Sequence, residues 1–355
     1  MVIAVGVLAG CGTRPGTAGP EVPSAAGSAP SSRAVVPTLV AATPRASTGA
    51  EPSPSSAGPV GLSLREFEVP QGSHPHDVSP ATDGGIWYTA QQAGKLGHLD
   101  PATGDVREIR LGAGSAPHGV ITGPDGAAWI TDGGLNAIVR VDPATDAVRI
   151  FRLPNGRSGA NLNTAAFDAT GLLWFTGQSG IYGRLNPKTG AMRAFRAPLG
   201  PGPYGITTTP KGRVFYASLA GSHIAEINVK TGKATVIRPP TANQGARRVW
   251  SDSKGRIWVS EWDAGKVGRY DPATKKWREW DVPGPAQVYA VYVDSRDMVW
   301  LTDFGRSGLW RFAPGTGRFT RVPLRANAAV RQLLGRPGEV WGAESGTDRL
   351  VVVRS

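Results

Sequence analysis

A recurring segment begins eleven residues before each of six aromatic side chains. His76 precedes Trp87 and His118 precedes Trp129 by that interval. The same step back from Trp174, Phe215, Trp258 and Trp300 reaches Asn163, Tyr204, Arg247 and Tyr289. These anchor positions are spaced 42, 45, 41, 43 and 42 residues apart. A weaker seventh copy centres on Val330 or Arg331, ahead of Trp341. A period in the low forties, with short strands and Gly-rich turns, predicts an all-β, seven-bladed β-propeller. No single repeat can bury its apolar face alone, so the 355 residues hold one closed array rather than two globular domains.

Each repeat parses into four strands. The first carries the Pro-His-Gly-Val type of segment (Pro117–Val120), and the second carries Trp129-Ile130-Thr131-Asp132. The third resembles Ala137–Val141 and the fourth Val148–Phe151. Asp125-Gly126, Lys211-Gly212 and Lys254-Gly255 mark the first hairpin, where Gly supplies the positive φ of a tight turn. Asp100-Pro101-Ala102-Thr103-Gly104 and its copies at Asp142, Asn186 and Asp271 mark the second, with Pro presetting φ. These turns lack the regular oxygen spacing of a calcium loop. The last repeat ends after Val351-Val352-Val353 with no fourth strand. The alternating segment Leu64–Val69 is a fourth strand with no blade. The two defects complete each other, so the N-terminal strand is expected to close the seventh blade and remove a sheet edge.

Ahead of the propeller the composition changes. Residues 1–10 form a short apolar run, and Leu8-Ala9-Gly10-Cys11 resembles a bacterial lipobox, in which cleavage precedes a cysteine that carries diacylglycerol. No Lys or Arg precedes the run, as an n-region would require. Residues 11–61 are Ala, Pro, Ser, Gly and Thr with few large apolar side chains, and they read as a disordered linker. The expectation is therefore an exported lipoprotein. Cys11 would anchor it to the outer face of the cytoplasmic membrane, and a propeller over 62–355 would be held away by its tether. One cysteine excludes a disulfide framework and a Cys-based zinc site. The formal charge of +12 favours anionic surroundings, but no dense Lys/Arg run points to nucleic acid. A monomer with a small-molecule or peptide ligand at the channel mouth is the expected state.

The pattern Pro-His-Gly-Val, Asp-Gly-x-x-Trp-Ile-Thr-Asp, Ala-Ile-Val-Arg-Val-Asp over residues 62–355 resembles the virginiamycin B (streptogramin B) lyase family. The resemblance implies a seven-bladed propeller. For the resistance enzymes of that family it implies a carbon–oxygen lyase that uses Mg²⁺ and a histidine base to open a cyclic depsipeptide by elimination. It places those histidines on the first strands of the last two blades. Here Tyr289 and Val330 or Arg331 stand there, and the expected glutamate falls on Ala328 or Ala329. A tyrosine with a pKa of about 10 does not replace a neutral imidazole as base.

Histidines occur instead at the equivalent positions of blades one and two, His76 and His118. Pseudo-symmetry presents them to the same central mouth, as candidate catalytic residues of a rotated site or as ordinary structural residues of a duplicated turn. Asn163, Tyr204, Arg247 and Tyr289 complete the ring as candidate ligand-binding residues. Asp132, Glu261, Asp303 and Glu344 lie three residues after their aromatics and are candidate metal ligands. Arg247 either meets an anionic or carbonyl-rich ligand or pairs with Glu261 of its own blade. His74, His98 and His223 have no repeat equivalent and are expected at the surface. The tryptophans are expected between blades. Three functions follow: a binding propeller with lost or altered chemistry, an active Mg-dependent lyase acting on a cyclic depsipeptide or lactone, and a lactonase-type hydrolase. The lactonase would hold axial calcium on residues such as Asn163, Asp132, Glu261 and Asp303.

Overall fold

The computed structural model describes residues 61–154 and 159–355. The expected signal peptide, Cys11 and the linker up to residue 60 lie outside the described residues. Seven four-stranded antiparallel sheets form, six of them with strands in chain order. The inner strands are Pro75–Pro80, Pro117–Thr122, Leu162–Phe167, Pro203–Thr208, Ala246–Ser251, Val288–Val293 and Val330–Arg336. They contact one another in that order, and the last meets the first, so the propeller is closed. Among the described residues no helix is long and apolar enough to cross a membrane.

The seventh sheet is completed by Ser63–Glu68, antiparallel to Arg349–Arg354, with Leu64 opposite Val353 and Phe67 opposite Leu350. Phe67 stacks on Trp341 at 5.5 Å between ring centroids. The Asp348 carboxylate accepts from the backbone N–H of Gly72 (2.8 Å) and His74 (2.7 Å), tying the chain as it leaves this strand. The N-terminal strand thus covers an edge that would otherwise expose unpaired backbone.

The repeat aromatics are buried, and each packs against the following blade. Trp129 clusters with Leu173 and Phe175, Trp174 with Val214 and Tyr216, Trp300 with Leu333 and Val340, and Trp341 with Ile86 and Tyr88 of blade one. Each such ring removes roughly 150–250 Å² from water, worth ~4–6 kcal/mol of transfer free energy before entropy is counted. Most of the indoles also find a carboxylate from the first hairpin turn: Trp129 Nε1 on Asp125 (3.0 Å), Trp174 on Asp168 (2.7 Å), Trp258 on Asp252 (3.0 Å) and Trp300 on Asp294 (2.9 Å). The same turn residue therefore accepts backbone N–H groups and satisfies the buried indole. In the second hairpin the Asp or Asn oxygens accept turn N–H groups, as Asp142 Oδ1 does from Ala144 and Thr145.

Candidate axial site

Every inner strand breaks its register at the anchor. In blade one Pro75 faces Ala90 and Val78 faces Tyr88, so His76 and Asp77 together stand opposite Thr89. Blades three to seven repeat this two-against-one break, and blade two breaks between Pro117 and Gly119. A bulge of this kind re-aims side chains. The opposing hydroxyl holds it in place. Thr89 Oγ1 accepts from the Asp77 N–H (3.0 Å) and donates to the His118 carbonyl of the next blade (2.8 Å). Thr131 links Gly119 to Asn163 (2.9 and 2.6 Å), and Ser260 links Arg248 to Tyr289 (2.9 Å each). In blades one, two, three and five the hydroxyl two residues after the repeat tryptophan thus fixes the backbone under the next anchor. In blades one and five the anchor and its successor both take part in the axial contacts.

The register also settles the seventh anchor. Trp129 faces Ile121 and Trp300 faces Tyr292, in each case three residues past the anchor. Trp341 faces Leu334, so the anchor is Arg331, and Val330 occupies the position before it. The first hairpin of blade seven is one residue shorter than the others.

The ring brings His76 and His118 together, with centroids 3.8 Å apart. His76 Nδ1 donates to Asp77 Oδ1 at 2.8 Å, which leaves Nε2 as the lone-pair nitrogen of the neutral ring. Arg248 grips the same carboxylate with both terminal nitrogens, at 3.1 and 2.8 Å. Asp77 belongs to blade one and Arg248 to blade five, so this pair spans the axis. Tyr204 and Tyr289 share a hydrogen bond of 2.5 Å between their hydroxyls, and Tyr204 lies 3.5 Å from His118 Nε2. Gln332 Oε1 accepts from the Val78 N–H at 2.9 Å. The axis is therefore closed at this level by a polar plug.

The electrostatics are one-sided. Burial, then the charges of Arg248, Arg331 and Arg247, push His76 well below its ordinary pKa. Burial and the neighbouring His76 do the same to His118. Both imidazoles are neutral near pH 7. Burial raises Tyr204 well above an ordinary phenol. Tyr289 is also buried, but Arg247 and Arg248 outweigh that and lower it. The half-exposed Arg247 lies 3.6 Å from the Tyr289 ring centroid and 4.7 Å from that of Trp262. The half-exposed Arg331 lies over Phe304 at 5.1 Å. Among the described residues neither guanidinium has a carboxylate within 4.0 Å. Among the described residues, buried donor atoms without a partner gather at the same level: Asn163 Nδ2, Arg247 Nε and Arg248 Nε. The site is rich in donors and poor in acceptors.

The four expected carboxylates stand elsewhere. Each lies at the end of a second strand, opposite the residue before an anchor. Asp132 accepts from the Ala116 and Leu135 N–H groups and from Ser115 Oγ, which makes it a turn anchor. Asp303 accepts from Trp310 Nε1 at 3.2 Å and lies 3.6 Å from Arg306. Glu344 accepts from Thr347 Oγ1, and burial raises its pKa to about 7. Glu261 makes no pair with Arg247. Both its oxygens are buried without a partner among the described residues, and burial raises its pKa to about 8. Among the described residues the one group of three potential metal ligands is His76, Asp77 and His118. Mg²⁺ demands mostly oxygen ligands in octahedral array. Two imidazoles and a carboxylate already held by Arg248, beside two further guanidiniums, do not fit it.

The expectation that His223 is a surface residue fails. It is 1% exposed, with Nδ1 donating to the Gly221 carbonyl (2.9 Å). His98 packs edge-on to Trp87 at 4.4 Å and pairs with Asp83. Asp77 and Arg248 went unnoticed in the sequence. The available signal was polar residues at 77, 164, 248 and 332, immediately after anchors, in strands otherwise apolar or small.

Fold and site define a closed seven-bladed propeller with a donor-rich polar plug on its axis. Residues 58–307 match the model of the virginiamycin B lyase family, and the chain belongs to that family. The fold is similar to virginiamycin B lyase from Staphylococcus aureus (TM-score 0.77, 19% identity, covering 83% of this chain and 99% of that one). A streptogramin B lyase matches with TM-score 0.75 and 24% identity, covering 82% and 97%. A catalytically inactive S. aureus virginiamycin B lyase solved with quinupristin matches at 0.77 and 20%, covering 83% and 99%. An extracellular domain of a two component system from B. thetaiotaomicron matches at 0.65 and 18%, covering 82% of this chain and 42% of that one. No curated protein sequence matches the chain significantly.

Proposed function

We propose that this family member is an exported propeller, tethered through Cys11, that binds a carbonyl- or carboxylate-rich peptide-like molecule at the mouth beside His118. The observation that carries this reading is the excess of donors. Among the described residues Arg247 and Arg331 have no carboxylate partner, and Asn163 Nδ2 and Arg247 Nε are buried without a hydrogen-bond partner. Buried polar groups in native proteins are normally satisfied, and these are best satisfied by oxygen acceptors. Trp262 and Phe304 beside the guanidiniums offer apolar surface to the same ligand. The lipobox-like Leu8–Cys11 and the likeness to an extracellular domain support export. Tyr289 and Arg331 at the family's catalytic positions argue for binding rather than elimination.

The Asp77–His76 pair supports a second reading, a base relocated to blade one with guanidiniums beside it to stabilise developing negative charge. One experiment separates the two. The protein is titrated with a type B streptogramin by calorimetry, with and without Mg²⁺, and the mixture is followed by mass spectrometry. Binding with an unchanged ligand, weakened at least tenfold by Arg247→Ala, is expected. A linear product of unchanged mass that disappears in His76→Ala would establish the lyase. A gain of one water would establish the lactonase. Neither binding nor turnover would remove streptogramin-like ligands from consideration.

A further inference from the structure

The opposite end of the axis carries a cavity of about 560 Å³, separated from the histidines by the Asp77–Arg248 plug. Six of the seven inner strands contribute to its wall, through Ser79, Thr122, Ala165, Thr207, Trp250 and Leu334 among others. Its volume falls within the roughly 300–1,000 Å³ typical of small-molecule sites. Its chemistry differs from that of the other mouth. Among the lining residues there is no Asp, Glu, Lys, Arg or His, in a chain of net charge +12. Its polar side chains all carry hydroxyls: Ser79, Thr122, Thr207, Thr208, Thr209 and Ser251, with the Trp250 indole beside them.

These hydroxyls are not all committed. Thr122 donates to the Pro80 carbonyl (2.6 Å) and accepts from Ser79 (3.1 Å), Ser251 donates to the Asp252 carbonyl, and Thr209 accepts from the Arg213 N–H. Thr207 is 4% exposed and its hydroxyl has no hydrogen bond among the described residues. Thr208 Oγ1 is buried and also without a partner. Trp250, half-buried, packs edge-on against Tyr292 at 5.1 Å and lines the cavity. Hydroxyls both donate and accept, so a partner that also does both, and carries no charge to be desolvated, satisfies them best. An indole beside them supplies an apolar face for the C–H side of a sugar ring.

We infer that this mouth is a second ligand site, for a neutral saccharide of one or two rings, independent of the donor-rich site at the other end. The test uses the full-length protein and saturation-transfer NMR, with maltose and N-acetylglucosamine as probes and glucuronate as the charged control. Binding of at least one neutral probe is expected, with glucuronate bound at least fivefold more weakly. Thr207→Val, which removes the hydroxyl at constant shape, and Trp250→Phe should each weaken the neutral probe at least fivefold. His118→Ala and Arg247→Ala should leave it unchanged. Near-UV circular dichroism checks that the variants stay folded, and Thr208→Val replaces any that does not. Absence of binding by both neutral probes overturns the inference, as does glucuronate binding equally well. Affinity that survives Thr207→Val and Trp250→Phe, or falls with His118→Ala, overturns it by placing the sugar elsewhere. Failure of the streptogramin titration leaves this result untouched, because the two ligands enter opposite mouths.

Discussion

Replacing Glu261 by Gln should make the protein more stable near neutral pH and flatten its pH dependence. The carboxyl is fully buried, lies against the strand at Gly268, and has no hydrogen-bond partner for either oxygen among the described residues. Burial, reinforced by Glu279, raises its pKa from 4.5 to about 8. The group is therefore neutral in the folded state while the unfolded chain ionises it from about pH 4.5 upward. Its folded pKa lies above its unfolded one, so its contribution is full below pH 4.5 and is lost as pH rises to about 8. Each unit between those limits costs about 1.4 kcal/mol. At pH 7 the accumulated loss is about 3 kcal/mol, and it saturates near ~5 kcal/mol above pH 8. Gln keeps the shape without the proton equilibrium. Urea unfolding at pH 5, 6, 7 and 8 measures this. The variant should gain about 1.4 kcal/mol over wild type with each unit, and at pH 7 should melt ~5 °C higher, given ~2 cal/mol/K per residue of unfolding entropy. If wild type and variant keep parallel pH profiles, Glu261 is charged or solvated in the folded state and the reasoning fails.

Asp77→Ala should cost about 3–5 kcal/mol, because the Arg248 guanidinium is left buried without its counter-ion. Asp77→Leu combined with Arg248→Met should recover most of that in the same unfolding assay. Asp252→Ala should cost about 2–4 kcal/mol by releasing the Trp258 indole, Arg256 and the turn N–H groups together; an effect below 1 kcal/mol would mean the turn holds itself. Deleting residues 62–70 removes the strand that closes blade seven and should abolish cooperative unfolding by heat; a sharp transition near the wild-type midpoint would refute the closure argument. Cys11→Ser should move the protein from the membrane fraction to the soluble fraction of an expressing bacterium, since diacylglycerol attachment needs the thiol; unchanged fractionation would refute lipid anchoring.

The repeat determined the architecture because it is local and periodic. Trp-x-Thr-Asp, the Gly hairpins and the 42-residue step each act within one blade, and their sum fixes seven blades and the shared level of His76 and His118. The missing fourth strand of the last repeat and the orphan Leu64–Val69 also located the closure, since an unpaired edge and an unpaired strand call for each other. The plug was decided by tertiary structure. Asp77 and Arg248 are 171 positions apart and meet because bulges in blades one and five turn a second residue toward the axis, an event that binary patterning does not encode. The same holds for Glu261. Its position beside the rim aromatics in the sequence suggested the mouth, but it is buried at the end of its second strand against Gly268, with no partner for either oxygen among the described residues. Arg331 became the seventh anchor only through strand register, because one residue fewer in a hairpin leaves the sequence spacing ambiguous and the hydrogen-bonded pairing definite.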